Sequence, residues 1–530
     1  MNPIVVKELR QAVNSRLVVG VLTLMLAVLW LIMMIALLDY DPRGGLDTSA
    51  GAELFSVFQG VLLATCMLFV PVYVGVRLAA ERASATADLL YVTTIRPSSV
   101  VWGKLLAGMV VTVLVFSACA PFMIVTYLMR GIDLPTILLV LGLDALVVLA
   151  STMLAIFVAT LPVGWPVKAL LGFVVLGASV GLYTGLTAFV AGTLLFLGVG
   201  SMLSDPDFLM GLASAVGSWI AAVGLVFFLA VALVSPAASN RALPVRVYIT
   251  VMWAGTLGLF VYLCWWSGAT EPLVAWVVGS LLLLGLASVV SVSEREEPGP
   301  RLRRSIPRSG LLRVPAFLFF SGAGGGLLWV SLLMVLTVVG GWWLTMVLEE
   351  AIWAAGGSTW DGFDDESLAR TGAMLAWLLA YLLAGVLLSR RLVRFKQGDT
   401  ATGVVALLLM TLGSLVPLAI AFAADPQRWD IDSWYWMLLN PLSPVLCDNG
   451  DWRGDYGQVT RVLSYLSLGV MVLFNLPWFA KQVRQFRPPP PPEETSAGDG
   501  VDGGAARGLT VAASKAEVES RGEGEVKGDG

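Results

Sequence analysis

The chain has 530 residues, of which 57% are hydrophobic and 13% charged. Soluble domains carry roughly 25% charged residues, so an ordinary water-soluble protein is excluded. The formal net charge of −4 points to no strongly charged partner, and no nucleic acid is expected. The chain contains no histidine, which removes the commonest metal ligand and general base, and no metal site is expected. Of four cysteines, Cys66, Cys119 and Cys264 lie in apolar runs and Cys447 stands alone in a polar loop. Neither a CxxC motif nor a disulfide framework is present.

Taken in order, residues 1–16 predict a short amphipathic helix. Asn2 can cap it and Pro3 suits its first position. Val5, Val6, Leu9, Ala12 and Val13 share one face, while Lys7, Glu8, Arg10, Gln11 and Asn14 share the other. Such a helix lies in the headgroup layer, either as a simple anchor for the span that follows or as a functional element. Apolar runs then fall near 17–38, 54–76, 105–128, 136–160, 167–190, 212–234, 247–266, 272–292, 316–346, 371–389, 401–424 and 462–480. Each is close to the roughly 20 residues that cross a bilayer as a helix, and in lipid only a helix satisfies its own backbone. The fold class expected is all-α and polytopic, with about 12 transmembrane helices. The first run is too long for a signal-peptide core and lacks a small-residue cleavage site, so it reads as an uncleaved anchor. The fifth run is long enough for a tilted span or a span plus a re-entrant piece. The ninth is also long and Gly-rich, which leaves room for a break.

Lysine and arginine set the orientation. With the N-terminus inside, the inner segments hold Lys7, Arg10 and Arg16, then Arg77, Arg82, Arg96 and Lys104, then Lys168, then Arg241 and Arg246. The later inner loops add a run from Arg295 to Arg313, another from Arg390 to Lys396, and Lys481, Arg484 and Arg487. The outer loops are acidic, with clusters at Glu349–Glu366 and Asp425–Asp455. Both termini are therefore expected in the cytoplasm, and the location expected is a bacterial plasma (inner) membrane. The division expected is a six-span region over 17–235 with an inner loop at 77–104, and a second six-span region over 236–487. The 488–530 tail opens on a proline run, lacks large apolar residues and is expected to be disordered.

The 77–104 loop is long for a simple connection. A surface helix is predicted over Glu81 to Tyr91, and Pro97 starts another helix that runs into the third span. Glu81, Arg82, Thr86, Leu89, Leu90, Thr93, Gly103 and Lys104 match a Glu-Arg-x-x-Gly-Thr-x-Glu-Leu-Leu stretch followed by Gly-Lys. The loop thereby resembles that of the membrane permease subunits of type-two ATP-binding-cassette exporters. Ala85 replaces the usual Gly, Asp88 stands where Glu is common, and Arg96-Pro97 is displaced from the usual Thr-Pro position. The N-terminal helix with Lys7, Glu8, Leu9 and Arg10 is similar to that family's interfacial helix, and the resemblance covers roughly residues 1–235. It implies a transport subunit rather than an enzyme, with a separate ATPase (two copies) gripping the loop. ATP would bind on that partner and no cofactor on this chain, which lacks a Gly-x-x-x-x-Gly-Lys-Ser/Thr phosphate loop. The chain would work as one twelve-span unit or as a homodimer, within the lipid bilayer.

Other features stand apart from that resemblance. Asp144, in the middle of the fourth run, is an intramembrane carboxylate that needs a partner. It reads as part of a substrate or ion pathway, or as a packing residue bonded to Ser151 or Thr152. Gly177, Gly181 and Gly185, and again Gly322 and Gly326, are spaced for close helix packing. The arginines between 301 and 313 read as a topology determinant or a contact for anionic lipid. Glu294-Arg295 stands where Glu81-Arg82 stands in the first half, with no further match. A secondary transporter is the alternative function, and a membrane-embedded transferase a third.

Overall fold

A computed structural model describes residues 10–11, 15–39, 50–83, 96–129, 132–194, 199–236, 239–354, 365–393, 398–424, 435–447 and 452–488. Among these residues there is no strand, and twelve helices are long and apolar enough to cross a membrane. They are α1 (Arg16–Asp39), α2 (Ala50–Ala83), α3 (Pro97–Leu128), α4 (Leu134–Thr160), α5 (Trp165–Phe189) and α6 (Pro206–Val234). The series continues with α7 (Ala242–Ser267), α8 (Glu271–Val292), α9 (Ala323–Ala354), α10 (Asp365–Leu387), α11 (Gly398–Ala424) and α12 (Asp455–Gln485). The protein is a multi-pass α-helical membrane protein.

Local chemistry sets the helix ends. Pro97 and Pro206 open α3 and α6, and Pro135, Pro166 and Pro272 fall in the first turns of α4, α5 and α8. There the missing N–H costs nothing and the ring presets φ. The Asp205 carboxylate accepts from the Asp207 N–H at 3.0 Å and caps α6. At the end of α7, Gly268 takes φ +66°, the left-handed turn that glycine adopts without strain.

The carboxylate pairs at the helix ends fall on two faces, as an up-and-down arrangement requires. On the face rich in Lys and Arg, the end of α2 meets the start of α3, and the end of α8 meets the start of α7 and the ends of α10 and α12. On the opposite face Asp207 accepts from Trp266 at 3.2 Å, Asp365 from Trp342 at 2.8 Å and Glu366 from Arg453 at 2.8 Å. We call these the basic and acidic faces. Several helices outrun the bilayer. The 34 residues of α2 measure about 51 Å at about 1.5 Å per residue, against about 30 Å of hydrocarbon. The excess of α2, and that of α3, extends the helices on the basic face beyond the apolar runs.

The apolar core is organised in two clusters. One is built from α1–α6 around Phe55, Phe58, Leu62, Met153 and Ile156, and the other mainly from α7–α12 around Leu273, Leu284, Val330 and Leu382. The most extensive packing is of α2 on α4 in the first and of α10 on α12 in the second. At the seam Phe228 stacks on Tyr248 with centroids 4.7 Å apart, and the Tyr248 hydroxyl donates to the Ala221 carbonyl at 2.8 Å.

The structure decides two open sequence readings and alters two others. The ninth run is two helices, Gly310–Phe319 and α9, broken at Phe320–Gly322. The fifth is a span with a π-helical end, Val190–Leu194, followed beyond a gap in the described residues by a short helix, Val199–Met202. The Val199 N–H donates to the Thr136 hydroxyl at 3.0 Å, tying that helix to the start of α4. Cys447 is buried rather than part of a solvated loop, and its carbonyl accepts from Arg370 at 2.7 Å. The glycine stripe of α5 does not pack: a Cβ at Gly177, Gly181 or Gly185 would meet nothing within 4 Å. The spacing was right for close contact, but no described helix of this chain lies against that face.

Candidate functional site

The first site sits where α2 and α3 leave the membrane on the basic face. Glu81 lies on the last turn of α2 and Lys104 on the second turn of α3. Lys104 Nζ pairs with Glu81 Oε2 at 2.7 Å. The lysine is buried and the glutamate 38% exposed, so the cation is held inside while the carboxylate remains accessible. Gly103 is buried beside Lys104. Arg82 continues the α2 helix. Thr86, Asp88, Leu89, Leu90 and Thr93 lie outside the described residues, as do Lys7, Glu8 and Leu9. Of the interfacial helix, Arg10 and Gln11 are helical, and Arg77 on α2 donates to Gln11 Oε1 at 2.7 Å.

The second site is Asp144, fully buried on α4. Its partner is Gln59 of α2, whose Nε2 donates to Asp144 Oδ1 at 2.8 Å. Ser151 instead donates to the Met67 sulfur at 3.3 Å, and the Thr152 hydroxyl meets no partner among the described residues. The same is true of Asp144 Oδ2. A partner on another helix could not be read from spacing along α4. The pair is the polar centre of the closely packed α2–α4 contact.

The third site was only partly visible in the sequence. Arg246, on the first turns of α7, is 2% exposed. One terminal nitrogen donates to the Leu318 and Phe320 carbonyls at 2.7 Å each, and the other to Glu294 Oε1 at 2.7 Å. Glu294 Oε2 accepts from the Gly322 N–H at 2.7 Å. The break before α9 is thus satisfied by one arginine and one glutamate. Asn240 completes it, its Oδ1 accepting from the N–H and hydroxyl of Ser321 at 2.9 Å each. Gly326 serves this approach: a Cβ there would press on the Arg246 guanidinium and lie 2.9 Å from the Ser291 Cβ. Gly322 has open space beside it and contributes its backbone instead.

Two residues on, Glu296 binds Arg390 from the end of α10, accepts from the Trp478 indole at 2.9 Å, and lies 3.9 Å from Lys481. Arg390 also donates to the Val292 carbonyl at 2.8 Å and the Thr402 hydroxyl at 3.0 Å. Burial pushes the Glu296 carboxyl up, but the bonds from Trp478 and Arg390 and the charges of Arg390 and Lys481 outweigh it, leaving it below its usual value. At Glu294 burial dominates over Arg246 and the Gly322 N–H, and the carboxyl is raised. Glu294 was flagged by its Glu-Arg pair, and Arg246 and Arg390 only as topology determinants. Their mutual contacts carry no local sequence signal.

Among the described residues no group of three or more His, Cys, Asp or Glu side chains is placed to hold a metal ion. No family model, curated protein or solved structure matches the chain.

Proposed function

We propose that the chain is the membrane permease subunit of an ATP-driven exporter in a bacterial plasma membrane, with the basic face and both termini in the cytoplasm. A separate ATPase would dock on the 84–95 segment and on the helix ends that flank it. The observation that carries this reading is the Glu81–Lys104 ion pair. It clasps the two ends of the loop whose motif resembles the permease family, on helix extensions that run past the apolar runs 54–76 and 105–128. Force applied to that segment would pass through the clasp into α2 and α3, and α2 is the helix most closely packed on α4. The push shifts the conformational balance only if the ATPase contacts two states differently.

The test is co-purification with an ATPase encoded beside the gene. Glu81→Gln and Asp88→Ala are expected to lower both ATPase association and coupled turnover. Unchanged association and turnover in both variants would overturn the assignment. One observation favours a second reading, ion-coupled transport: among the described residues, Asp144 keeps an oxygen without a partner in the middle of its span. Uptake or efflux that persists without any ATPase, and is lost in Asp144→Asn, would select that reading instead.

A further inference from the structure

Arg10, Gln11, Ser15, Tyr73 and Arg77 line an open cleft of about 570 Å³ between the N-terminal segment and α2. Every one of these side chains can donate a hydrogen bond, and among the described residues no carboxylate lines the cleft. Among the described residues, Arg77 is positioned by neutral groups. Its guanidinium donates to the Tyr73 hydroxyl and to Gln11 Oε1, and lies 5.1 Å from the Tyr73 ring centroid. Neutral acceptors orient the fork without cancelling its charge. Arg10 is exposed on the other wall. Two guanidinium groups on one cleft favour an anion between them, and a phosphate offers oxygens in the planar geometry that the arginine fork matches.

The depth of the cleft narrows the source of that phosphate. Arg77 follows directly on the apolar run 54–76, and Ser15 lies two residues before the run 17–38. The cleft therefore sits at the level of the headgroups, where arginine meets anionic lipid. Leu17, Val72 and Val76, neighbours of the lining residues in sequence, are exposed by 58%, 40% and 51% and offer apolar surface to acyl chains. We infer that this cleft binds a phosphate group, supplied by the headgroup of an anionic phospholipid from the leaflet on the basic face. Arg77 is one helical turn from Glu81, so a bound headgroup would join the N-terminal segment to the α2 extension. The inference does not depend on the transport reading.

The test uses the full chain in phosphatidylcholine nanodiscs doped with phosphatidylglycerol, with retained lipid counted by native mass spectrometry. The wild-type chain is expected to keep a phosphatidylglycerol that Arg10→Gln/Arg77→Gln loses. Arg10→Gln alone leaves the contacts of Arg77 in place and is expected to weaken retention at an unchanged melting temperature in pure phosphatidylcholine. Equal phosphatidylglycerol retention in the wild type and the single and double variants would overturn the site. Displacement of the lipid by millimolar inorganic phosphate would overturn the lipid as its source. Retention that withstands inorganic phosphate supports it.

Discussion

Glu81 and Glu294 each precede an arginine at the basic-face end of a span, yet their surroundings differ. Glu81 is 38% exposed and pairs with the buried Lys104 at the mouth of a long loop. Glu294 is 20% exposed, and its partner Arg246 also binds two carbonyls while the Gly322 N–H binds the second carboxylate oxygen. The Glu81 carboxylate is open to a competing partner, while its buried lysine keeps the need for a counter-charge. A buried arginine with several bonds cannot leave without stranding them all. The first half thus presents a contact that can be remade, and the second half a lock that holds the α7, α8, α9, α10 and α12 ends together.

The largest expected effect tests that lock. Arg246→Ala strands a buried Glu294 and two carbonyls, and should cost about 3–5 kcal/mol, read as unfolding in detergent. The contrast between the halves fails if this variant is no less stable than Glu81→Gln. Arg390→Gln comes next, at about 1.5–3 kcal/mol for lost bonds to a charged group. The same network has a pH signature. The folded carboxyl of Glu296 lies below its usual 4.5, so its contribution is complete above that pH and fades as pH falls through the folded value. Melting temperature should fall on acidification, and less so in Glu296→Gln; an identical profile in the two proteins would sever this carboxylate from the lock.

Within the first half, Gln59→Leu leaves Asp144 without its described partner and should cost about 1–3 kcal/mol. Asp144→Asn keeps an acceptor for Gln59 and should cost only about 0.6 kcal/mol, in the range of intramembrane hydrogen bonds. Glu81→Gln is expected to cost less than Arg246→Ala, since the partly exposed amide keeps an oxygen that can accept from the buried Lys104. Comparing its unfolding with ATPase association separates stability from docking: a large loss of stability would place Glu81 with the structural locks instead.

Much of the architecture was legible in the residues alone. Apolar length located all twelve spans, because a helix in lipid must be apolar over its whole crossing. The alternation of basic and acidic loops sorted the helix ends onto the two faces that the pairs at Glu81, Glu294, Asp207 and Glu366 occupy. Glu81 and Lys104 were singled out by motif, and the clasp between them is consistent with their flanking one loop. What periodicity could not supply was any choice among distant partners. Asp144 takes Gln59 from 85 positions away rather than a hydroxyl one or two turns on, and Arg246 takes Glu294 and the carbonyls of a break hidden inside one apolar run. Gly177, Gly181 and Gly185 had the spacing for contact but no described neighbour to use it. Hydropathy acts on each segment against a uniform solvent, so the chain alone determines which helices form. Which buried polar group meets which depends on the particular neighbours that packing brings within hydrogen-bond reach, and only the tertiary structure decides that.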